Sequence, residues 1–167
     1  GVEKLSAIVD YTDRGTCVLF GDGAGAALFT SLEDAGGQGE FLSSSAGMKG
    51  GSEDALSMPG GGSRNPASHE SVEQRLHFLK MEGRQIYRFA VKTFSRLVNE
   101  ALEPYDREEL GVLVPHQVNL RIIESSADQT GIPMEKIFVN IHKYGNTSAA
   151  SVPIALTEAR DEGRFEK

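Results

Sequence analysis

The chain has 167 residues, of which 39% are hydrophobic and 25% charged, a composition typical of one compact folded domain or a large piece of one. Its formal net charge is −7, from 17 basic and 24 acidic residues, which argues against general binding to nucleic acid because polyanions usually select a basic surface. No apolar run approaches the roughly 20 residues that cross a bilayer, and the N-terminus has no signal-peptide pattern, so we expect a soluble, cytoplasmic protein.

Two short strands are the first predicted elements. Residues 17–20 and 26–29 are apolar and flank a turn-prone segment, a pattern that predicts strand, turn and strand. Gly21 and Gly23 also match the start of a dinucleotide-binding loop, but the segment that follows is too short for the helix that such a loop needs. We therefore expect these glycines to allow close backbone packing.

Cys17 is the only cysteine of the chain and lies in the first predicted strand. A single cysteine excludes an internal disulfide and every metal site that needs several cysteines, and we expect no metal. In an apolar strand with no neighbouring base in the sequence, Cys17 is expected to be a buried structural residue rather than a nucleophile.

A long glycine- and serine-rich segment, residues 36–68, follows. It predicts little regular structure beyond a strand near residues 40–44. Loops of this length are often functional or mobile. A cover over a substrate channel and a plain surface excursion are both open interpretations of this segment.

The clearest amphipathic helix comes next. Apolar residues recur at three- and four-residue spacing from Ile86 to Leu102, and Pro104 stops the pattern. The other side of this helix carries four basic residues spaced four apart, which form either a solvated face or a dock for an anionic partner such as phosphates or an acidic protein. The four residues are Arg84, Arg88, Lys92 and Arg96.

The last third of the chain predicts the order β-α-β-α. Parallel strands joined by a right-handed crossover would place His116 and Asn146 beyond the carboxyl ends of two strands of one sheet, where ligands of open α/β sheets bind. A lone histidine after a strand and a Gly-Asn turn are also common structural features. The predicted elements are strands at 111–114 and 137–141 and helices at 118–130 and 152–162, with Gly131, Pro133 and Gly163 at the helix ends.

Four segments of the sequence resemble one enzyme family, β-ketoacyl-acyl-carrier-protein synthase III, the initiating condensing enzyme of type II fatty-acid synthesis. They are TCVLFGDGAGAALF (16–29), MEGRQIYRFAV (81–91), VPHQVNLRI (114–122) and GNTSAASVP (145–153). The resemblance implies an α/β, thiolase-like fold, layered α-β-α-β-α in the complete enzyme. It further implies that residues 1–32 are the tail of the N-terminal half and that residues 33–167 are the C-terminal half, truncated before its last strands.

The resemblance also implies the chemistry. The family uses a Cys-His-Asn site for a decarboxylative Claisen condensation between an acyl-CoA primer, here expected to be acetyl-CoA, and malonyl-acyl carrier protein. His116 and Asn146 occupy the family's His and Asn positions. Two neutral donors aimed at the thioester enolate would stabilise its charge, since the amide NH₂ of Asn146 donates without titrating. No cofactor beyond the coenzyme A thioester substrate is expected.

Further roles follow from the same resemblance. The nucleophilic cysteine of the family belongs to an upstream segment, so we expect this chain alone to be inactive and the complete enzyme to be a homodimer. Coenzyme A contacts near the pantetheine arm are expected at Gly83, Arg84 and Asn119. Contacts with the acidic acyl carrier protein are expected at Arg121, Arg88 and Lys92.

Two alternatives stay open. The chain could come from another thiolase-fold condensing enzyme of polyketide or long-chain acyl type, which differs in the acyl-CoA that primes it. It could also be a non-catalytic module that binds acyl carrier protein through the basic helix face. Such a module would bind its partner in a salt-sensitive way without needing His116.

Overall fold

Helices dominate the computed structural model, which describes residues 1–36 and 39–165. None of the helices in these two ranges combines the length and the apolar character of a membrane span. The helices are α1 (His69–Glu73), α2 (Gly83–Leu102), α3 (Leu120–Thr130), α4 (Ile141–Tyr144) and α5 (Ser151–Asp161). The strands are β1 (Val2–Lys4), β2 (Asp22–Ala24), β3 (Leu56–Ser57) and β4 (Lys80–Met81), which pair antiparallel as β1 with β2 and β3 with β4.

The main core lies between α2 and α3. Val98 of α2 packs in one buried cluster with Ile123 and Ala127 of α3. Ser95 also lies on the buried face of α2, where its hydroxyl is satisfied by the Val91 carbonyl at 2.8 Å. Full burial of an aliphatic side chain contributes roughly 1.5–3 kcal/mol, so this contact fixes α3 and the loop before it on α2.

Three of the predicted helices are confirmed, with ends within two or three residues of the prediction. The α2 helix ends two residues before Pro104, and α3 begins where the Asn119 side chain accepts the Arg121 N–H at 2.9 Å. Gly131 ends α3 in the left-handed conformation with φ of 70°. Gly163, just after α5, also has a positive φ, as the C-terminal glycine pattern predicts.

The two predicted strands of the last third are parallel, but they meet at one bridge only. Leu113 pairs with Ile137, and the Leu113 carbonyl accepts the Phe138 N–H at 2.9 Å. The second strand stops short because the N–H groups of Asn140 and Ile141 bond to a side chain and the chain then turns into α4. The predicted β-α-β order is therefore confirmed in direction, whereas the predicted strand lengths are wrong.

The prediction of strands at residues 17–20 and 26–29 is wrong. The strand of this region is β2, inside the predicted turn, where Gly23 faces Glu3 of β1. Cys17 lies in a turn and is half-buried rather than enclosed in a strand. Leu28 is 89% exposed, so no packing surface fixes residues 26–29 as a strand.

The glycines of β2 and its flanks allow the backbone to approach α5, as predicted. A methyl group on Gly23 would lie 2.9 Å from Ile154 Cδ1, and one on Gly25 would lie 2.9 Å from Pro153 Cβ. One on Gly21 would overlap the Tyr144 carbonyl oxygen. Close packing, and not a phosphate-binding loop, is therefore the role of these small residues.

The glycine-rich segment has little regular structure. Residues 39–52 contain no helix or strand, so the predicted strand at residues 40–44 is wrong. Phe41 and Leu42 are both exposed, and a strand there would have no buried face. Gly37 and Gln38 lie outside the described residues.

One buried amide joins the two loops that follow the parallel strands. Gln117 is 1% exposed, and its Nε2 donates to the carbonyls of Pro115 at 3.0 Å and Phe138 at 3.1 Å. Its Oε1 accepts the N–H groups of Asn140 at 3.0 Å and Ile141 at 3.2 Å. All four bonding positions of the amide are therefore used.

A second anchor holds α4 on α5. Glu158 of α5 accepts hydrogen bonds from Asn140 at 3.1 Å, from Lys143 at 3.0 Å and from the Tyr144 hydroxyl. The hydrogen bond from Tyr144, followed by those from Asn140 and Lys143, lowers the pKa of Glu158 to about 2. This carboxylate fixes the helix that immediately precedes Gly145 and Asn146.

Replacing Gln117 by leucine is expected to lower the free energy of unfolding by about 3 kcal/mol or more, because four backbone groups lose the side-chain amide to which they bond. Urea denaturation of the variant and the parent chain measures this difference. Gln129→Leu is the matched control, since Gln129 is exposed and its side-chain oxygen has one neighbour, the Ser95 hydroxyl at 3.1 Å. Equal stability of the two variants would contradict the anchoring role.

Glu158→Gln is expected to lower the free energy of unfolding by about 1–2 kcal/mol at neutral pH. Because the folded-state pKa of Glu158 lies below the usual 4.5, the carboxylate stabilises the fold above that pH. This contribution is lost as the pH falls towards about 2, so the two proteins should converge there. Denaturation curves at several pH values test this.

Glu162→Gln is the control for Glu158→Gln, because it removes the same charge. Glu162 is half-exposed and lies 3.9 Å from Lys143, so its loss should change stability by less than about 0.5 kcal/mol. A difference between Glu158→Gln and the parent chain that does not depend on pH would argue against the carboxylate as the cause.

Candidate active site

His116 lies in the loop between the Leu113 bridge and α3. Its Nδ1 is 2.5 Å from the hydroxyl oxygen of Ser151, the first residue of α5. The residue keeps contact with solvent, while the partial burial of its ring removes water and lowers the pKa of His116. The imidazole is therefore neutral at physiological pH.

Asn146 lies at the end of the Gly-Asn turn and is 8% exposed. Its backbone forms a parallel bridge with Phe20, accepting the Gly21 N–H at 2.9 Å and donating to Leu19 at 2.9 Å. Its side-chain oxygen accepts the Ser148 N–H at 2.9 Å. Because the oxygen has this partner, the amide NH₂ is the group left to face a ligand.

The backbone of Ser148 has an unusual conformation. Its φ is 49°, in the left-handed region that residues other than glycine rarely adopt. Such conformations are retained where the surrounding structure requires them, and they cluster at functional sites. Here the conformation aims the N–H of Ser148 at the side-chain oxygen of Asn146.

His116 and Asn146 are both fixed by the segment from Asn146 to Ser151. Ser151 binds the imidazole and Ser148 binds the amide, so one short turn orients the two side chains. Two neutral hydrogen-bond donors held in this way can stabilise negative charge on an oxygen atom without adding a charge of their own. The described residues contain no group of His, Cys, Asp and Glu side chains that could hold a metal ion.

The other predicted contact residues lie at the starts and on the exposed faces of α2 and α3. Gly83 is the first residue of α2, with Arg84 exposed beside it. Asn119 caps α3, and Arg121 is exposed in the first turn of that helix. The hydrogen bond between Tyr87 and Ser125, 2.6 Å long, ties the two helices together near these residues.

A groove of about 840 Å³ runs along α2. Arg88, Lys92 and Arg96 line it together with Phe89, whose ring lies 5.5 Å below the Lys49 ammonium. All of these cations are exposed, as the spacing of the basic residues predicts. The groove thus combines an apolar floor with a basic rim.

Arg96 differs from the other basic residues of the groove. It forms an ion pair with Glu100 at 2.6 Å, one helical turn away. Among the described residues, Arg84, Arg88 and Lys92 form no ion pair, so the unpaired positive charge of α2 lies in its N-terminal half.

Sequence reasoning did not single out Gln117, Ser148 and Ser151 as site residues. Gln117 and Ser151 lie inside the segments 114–122 and 145–153, which carry the family resemblance. The only signal of their importance is that each is a polar residue at a point where the chain enters the protein interior. Ser148 acts through its backbone, which leaves no trace in the residue type. The contacts of Ser151 join residues 34 and 35 positions apart, so they are recognised only from the folded structure.

The chain matches two family models that describe the two parts of one enzyme. Residues 1–50 match the model for 3-oxoacyl-acyl-carrier-protein synthase III, and residues 101–167 match the model for its C-terminal part.

Relatives in both sequence and structure agree with these matches. The β-ketoacyl-acyl-carrier-protein synthase III of Solibacter usitatus is 43% identical over 169 residues, covering 100% of this chain and 51% of that protein. The protein of the same name from Caldanaerobacter subterraneus is 47% identical, covering 100% and 50%. The crystal structure of 3-oxoacyl-acyl-carrier-protein synthase III from Pseudomonas aeruginosa is 32% identical, with a TM-score of 0.79, covering 100% and 49%.

These likenesses confirm the predicted α/β, thiolase-like fold. The chain spans about half the length of the curated relatives it matches. It belongs to the 3-oxoacyl-acyl-carrier-protein synthase III family.

Proposed function

We propose that the complete protein containing this chain is a 3-oxoacyl-acyl-carrier-protein synthase III that condenses acetyl-CoA with malonyl-acyl carrier protein. This chain supplies His116 and Asn146, and the nucleophilic cysteine comes from an upstream segment. The proposal includes a cytoplasmic homodimer that needs no cofactor, with residues 1–32 and 33–167 in the two halves of the fold. The family membership and the paired neutral donors support it.

The first half-reaction is transfer of the acetyl group. The cysteine thiolate attacks the acetyl-CoA carbonyl, the bond from that carbon to the coenzyme A sulfur breaks, and coenzyme A leaves as a thiolate that takes up a proton. His116 and Asn146 are not needed as nucleophiles in this step.

The second half-reaction uses the two residues of this chain. The carboxylate of the malonyl thioester leaves as carbon dioxide, and the electron pair of the broken carbon–carbon bond becomes the enolate of the remaining acetyl thioester. His116 and Asn146 donate hydrogen bonds to the enolate oxygen. The enolate carbon then attacks the acetyl-cysteine carbonyl, and the cysteine thiolate is released.

One observation carries this assignment. The Asn146 oxygen is occupied by the Ser148 N–H, which leaves the NH₂ for a substrate oxygen. The amide is buried, so water competes weakly for it and a hydrogen bond to a developing oxyanion is strong. A carboxylate at this position would repel the enolate instead.

His116→Ala and Asn146→Ala in the complete protein are each expected to lower malonyl decarboxylation by roughly a hundredfold or more, because each removes one donor from the enolate. Acetyl transfer to the cysteine should survive better. Release of carbon dioxide from malonyl carrier protein and intact mass after reaction with acetyl-CoA measure the two steps separately. His142→Ala is the control, since His142 is exposed on α4.

Full decarboxylation by either variant would remove that residue from the site. Acetyl labelling of this chain at Cys17 would overturn the assignment of an upstream nucleophile. Salt-sensitive carrier binding that survives His116→Ala, in a complete protein with no condensation activity, would favour a binding module. Priming by a different acyl-CoA would favour another condensing enzyme of the same fold.

For substrate contacts, we propose that Gly83, Arg84 and Asn119 lie along the pantetheine arm of coenzyme A. The start of α2 favours phosphate groups, since the N–H groups of Gly83 and Arg84 have no backbone partner among the described residues. Asn119 lies three residues after His116 and keeps an amide nitrogen beyond its capping bond.

Arg121, Arg88 and Lys92 are proposed to meet the acidic carrier protein. The hydrogen bond between Tyr87 and Ser125 joins α2 to α3. Arg88 is next to Tyr87 in α2, and Arg121 lies one turn before Ser125 in α3. The bond therefore holds the two helices together near both cations. Lys92 extends this surface along the basic groove. Such contacts set the encounter rate and orientation and weaken with salt.

Arg121→Glu is expected to raise the apparent KM for malonyl-acyl carrier protein by roughly tenfold while leaving the KM for acetyl-CoA unchanged, because it places a like charge against an acidic partner. Steady-state kinetics at low and high salt measure both constants. Arg14→Glu makes the same charge change on an exposed turn far from α2 and α3 in the sequence and should have little effect. Equal changes for both substrates would count against docking.

A further inference from the structure

Ser151 lies at the junction of the site and the core. It is 2% exposed and is the first residue of α5. Its hydroxyl oxygen accepts the backbone N–H of Gln117 at 3.2 Å and lies 2.5 Å from Nδ1 of His116. Gln117 is the residue whose side chain joins the two loops, so Ser151 is connected to the hydrogen-bond network that holds these loops together.

The hydroxyl has one proton to donate. Since Gln117 uses an oxygen lone pair of Ser151, the proton is left for an acceptor. Across residues 1–36 and 39–165, the only acceptor within hydrogen-bond distance of this hydroxyl is Nδ1 of His116. The opposite arrangement, with the proton on Nδ1, would leave a buried hydroxyl proton unpaired, which is unfavourable.

The position of Ser151 in its helix adds a second reason. The start of α5 carries the positive end of the helix dipole, which disfavours a charged imidazolium beside it. Packing around the ring acts in the same direction by removing water. Both effects keep the ring neutral, and the Ser151 hydroxyl then decides which nitrogen holds the proton.

We propose that Ser151 is a positioning residue that fixes His116 in the tautomer with its proton on Nε2. This inference deepens the proposed function: Nε2 is the nitrogen on which the described residues place no hydrogen-bond partner, and it is the donor that the enolate oxygen requires. Ser151 itself does not touch the substrate. Its effect on the reaction passes through the imidazole.

Long-range proton–nitrogen NMR spectra of labelled histidine side chains test the tautomer directly. The wild-type chain is expected to show Nδ1 of His116 as an unprotonated acceptor and Nε2 as a protonated nitrogen, with His116→Gln identifying the signals. A wild-type spectrum with the proton on Nδ1 would overturn the inference without any variant.

Three serine variants refine this test. Ser151→Ala is expected to shift His116 towards a mixture of tautomers, whereas Ser151→Thr, which keeps the hydroxyl, should retain the wild-type form. Ser126→Ala is the matched control, because Ser126 is a fully buried serine on α3 that bonds to the Ile122 carbonyl. An unchanged tautomer in Ser151→Ala would show that the hydroxyl does not set it.

Kinetics of the complete protein provide an independent readout. Ser151→Ala is expected to lower the rate of malonyl decarboxylation by at least about tenfold with little change in KM, and Ser151→Thr should restore most of it, because a wrong tautomer removes the donor without altering the binding surface. A lower rate for Ser151→Ala that Ser151→Thr does not restore would count against the role of the hydroxyl.

The two proposals fail in different ways. A complete wild-type protein that cannot decarboxylate malonyl thioesters, with His116 in the expected tautomer, would refute the proposed function and leave the role of Ser151 intact. A proton on Nδ1 in an active protein would refute only the role of Ser151.

Discussion

The site depends on one buried side-chain amide. Gln117 follows His116 directly, and its four hydrogen bonds close the gap between the loop after one parallel strand and the loop after the next. A single parallel bridge between these strands would hold them weakly, because isolated pairing of this kind contributes little. The hydrogen bonds of the amide take the place of some of the backbone hydrogen bonds that a longer pair of strands would form. The amide also fixes the backbone of the loop that contains His116.

A series of hydrogen bonds and a short backbone segment connect Gln117 to the two candidate site residues. The backbone of Gln117 binds Ser151, Ser151 binds His116, and the strained Ser148 a few residues earlier binds Asn146. The bond from Ser148 occupies the Asn146 oxygen and leaves the amide NH₂ free, and the proposed bond from Ser151 would occupy Nδ1 of His116 and leave Nε2 as the donor. A preorganised pair of this kind needs no reorganisation when charge develops on a bound oxygen, which is the main source of electrostatic catalysis.

The sequence predicted the parts of this arrangement that depend on local patterns. Helices α2, α3 and α5 follow from periodic apolar residues and from caps, and the parallel direction of the strands that meet at Leu113 and Ile137 follows from the β-α-β order. The prediction of strands at residues 17–20 and 26–29 is wrong because a strand needs a second strand to pair with. Which segments pair depends on the tertiary fold rather than on the local residue type. The contacts of Ser151 were out of reach for the same reason, since they join residues 34 and 35 positions apart.

The close approach of the β2 glycines to α5 has a consequence for how this family can vary. An added methyl group on Gly21 would strike a backbone carbonyl, which no change of side chain elsewhere can remove. An added methyl group on Gly25 would lie 2.9 Å from Cβ of Pro153 and 3.1 Å from the backbone nitrogen of Ile154, and every residue except glycine keeps a Cβ at position 153. Positions 21 and 25 should therefore both stay glycine across homologues. An alignment would show this constraint as two invariant glycine columns.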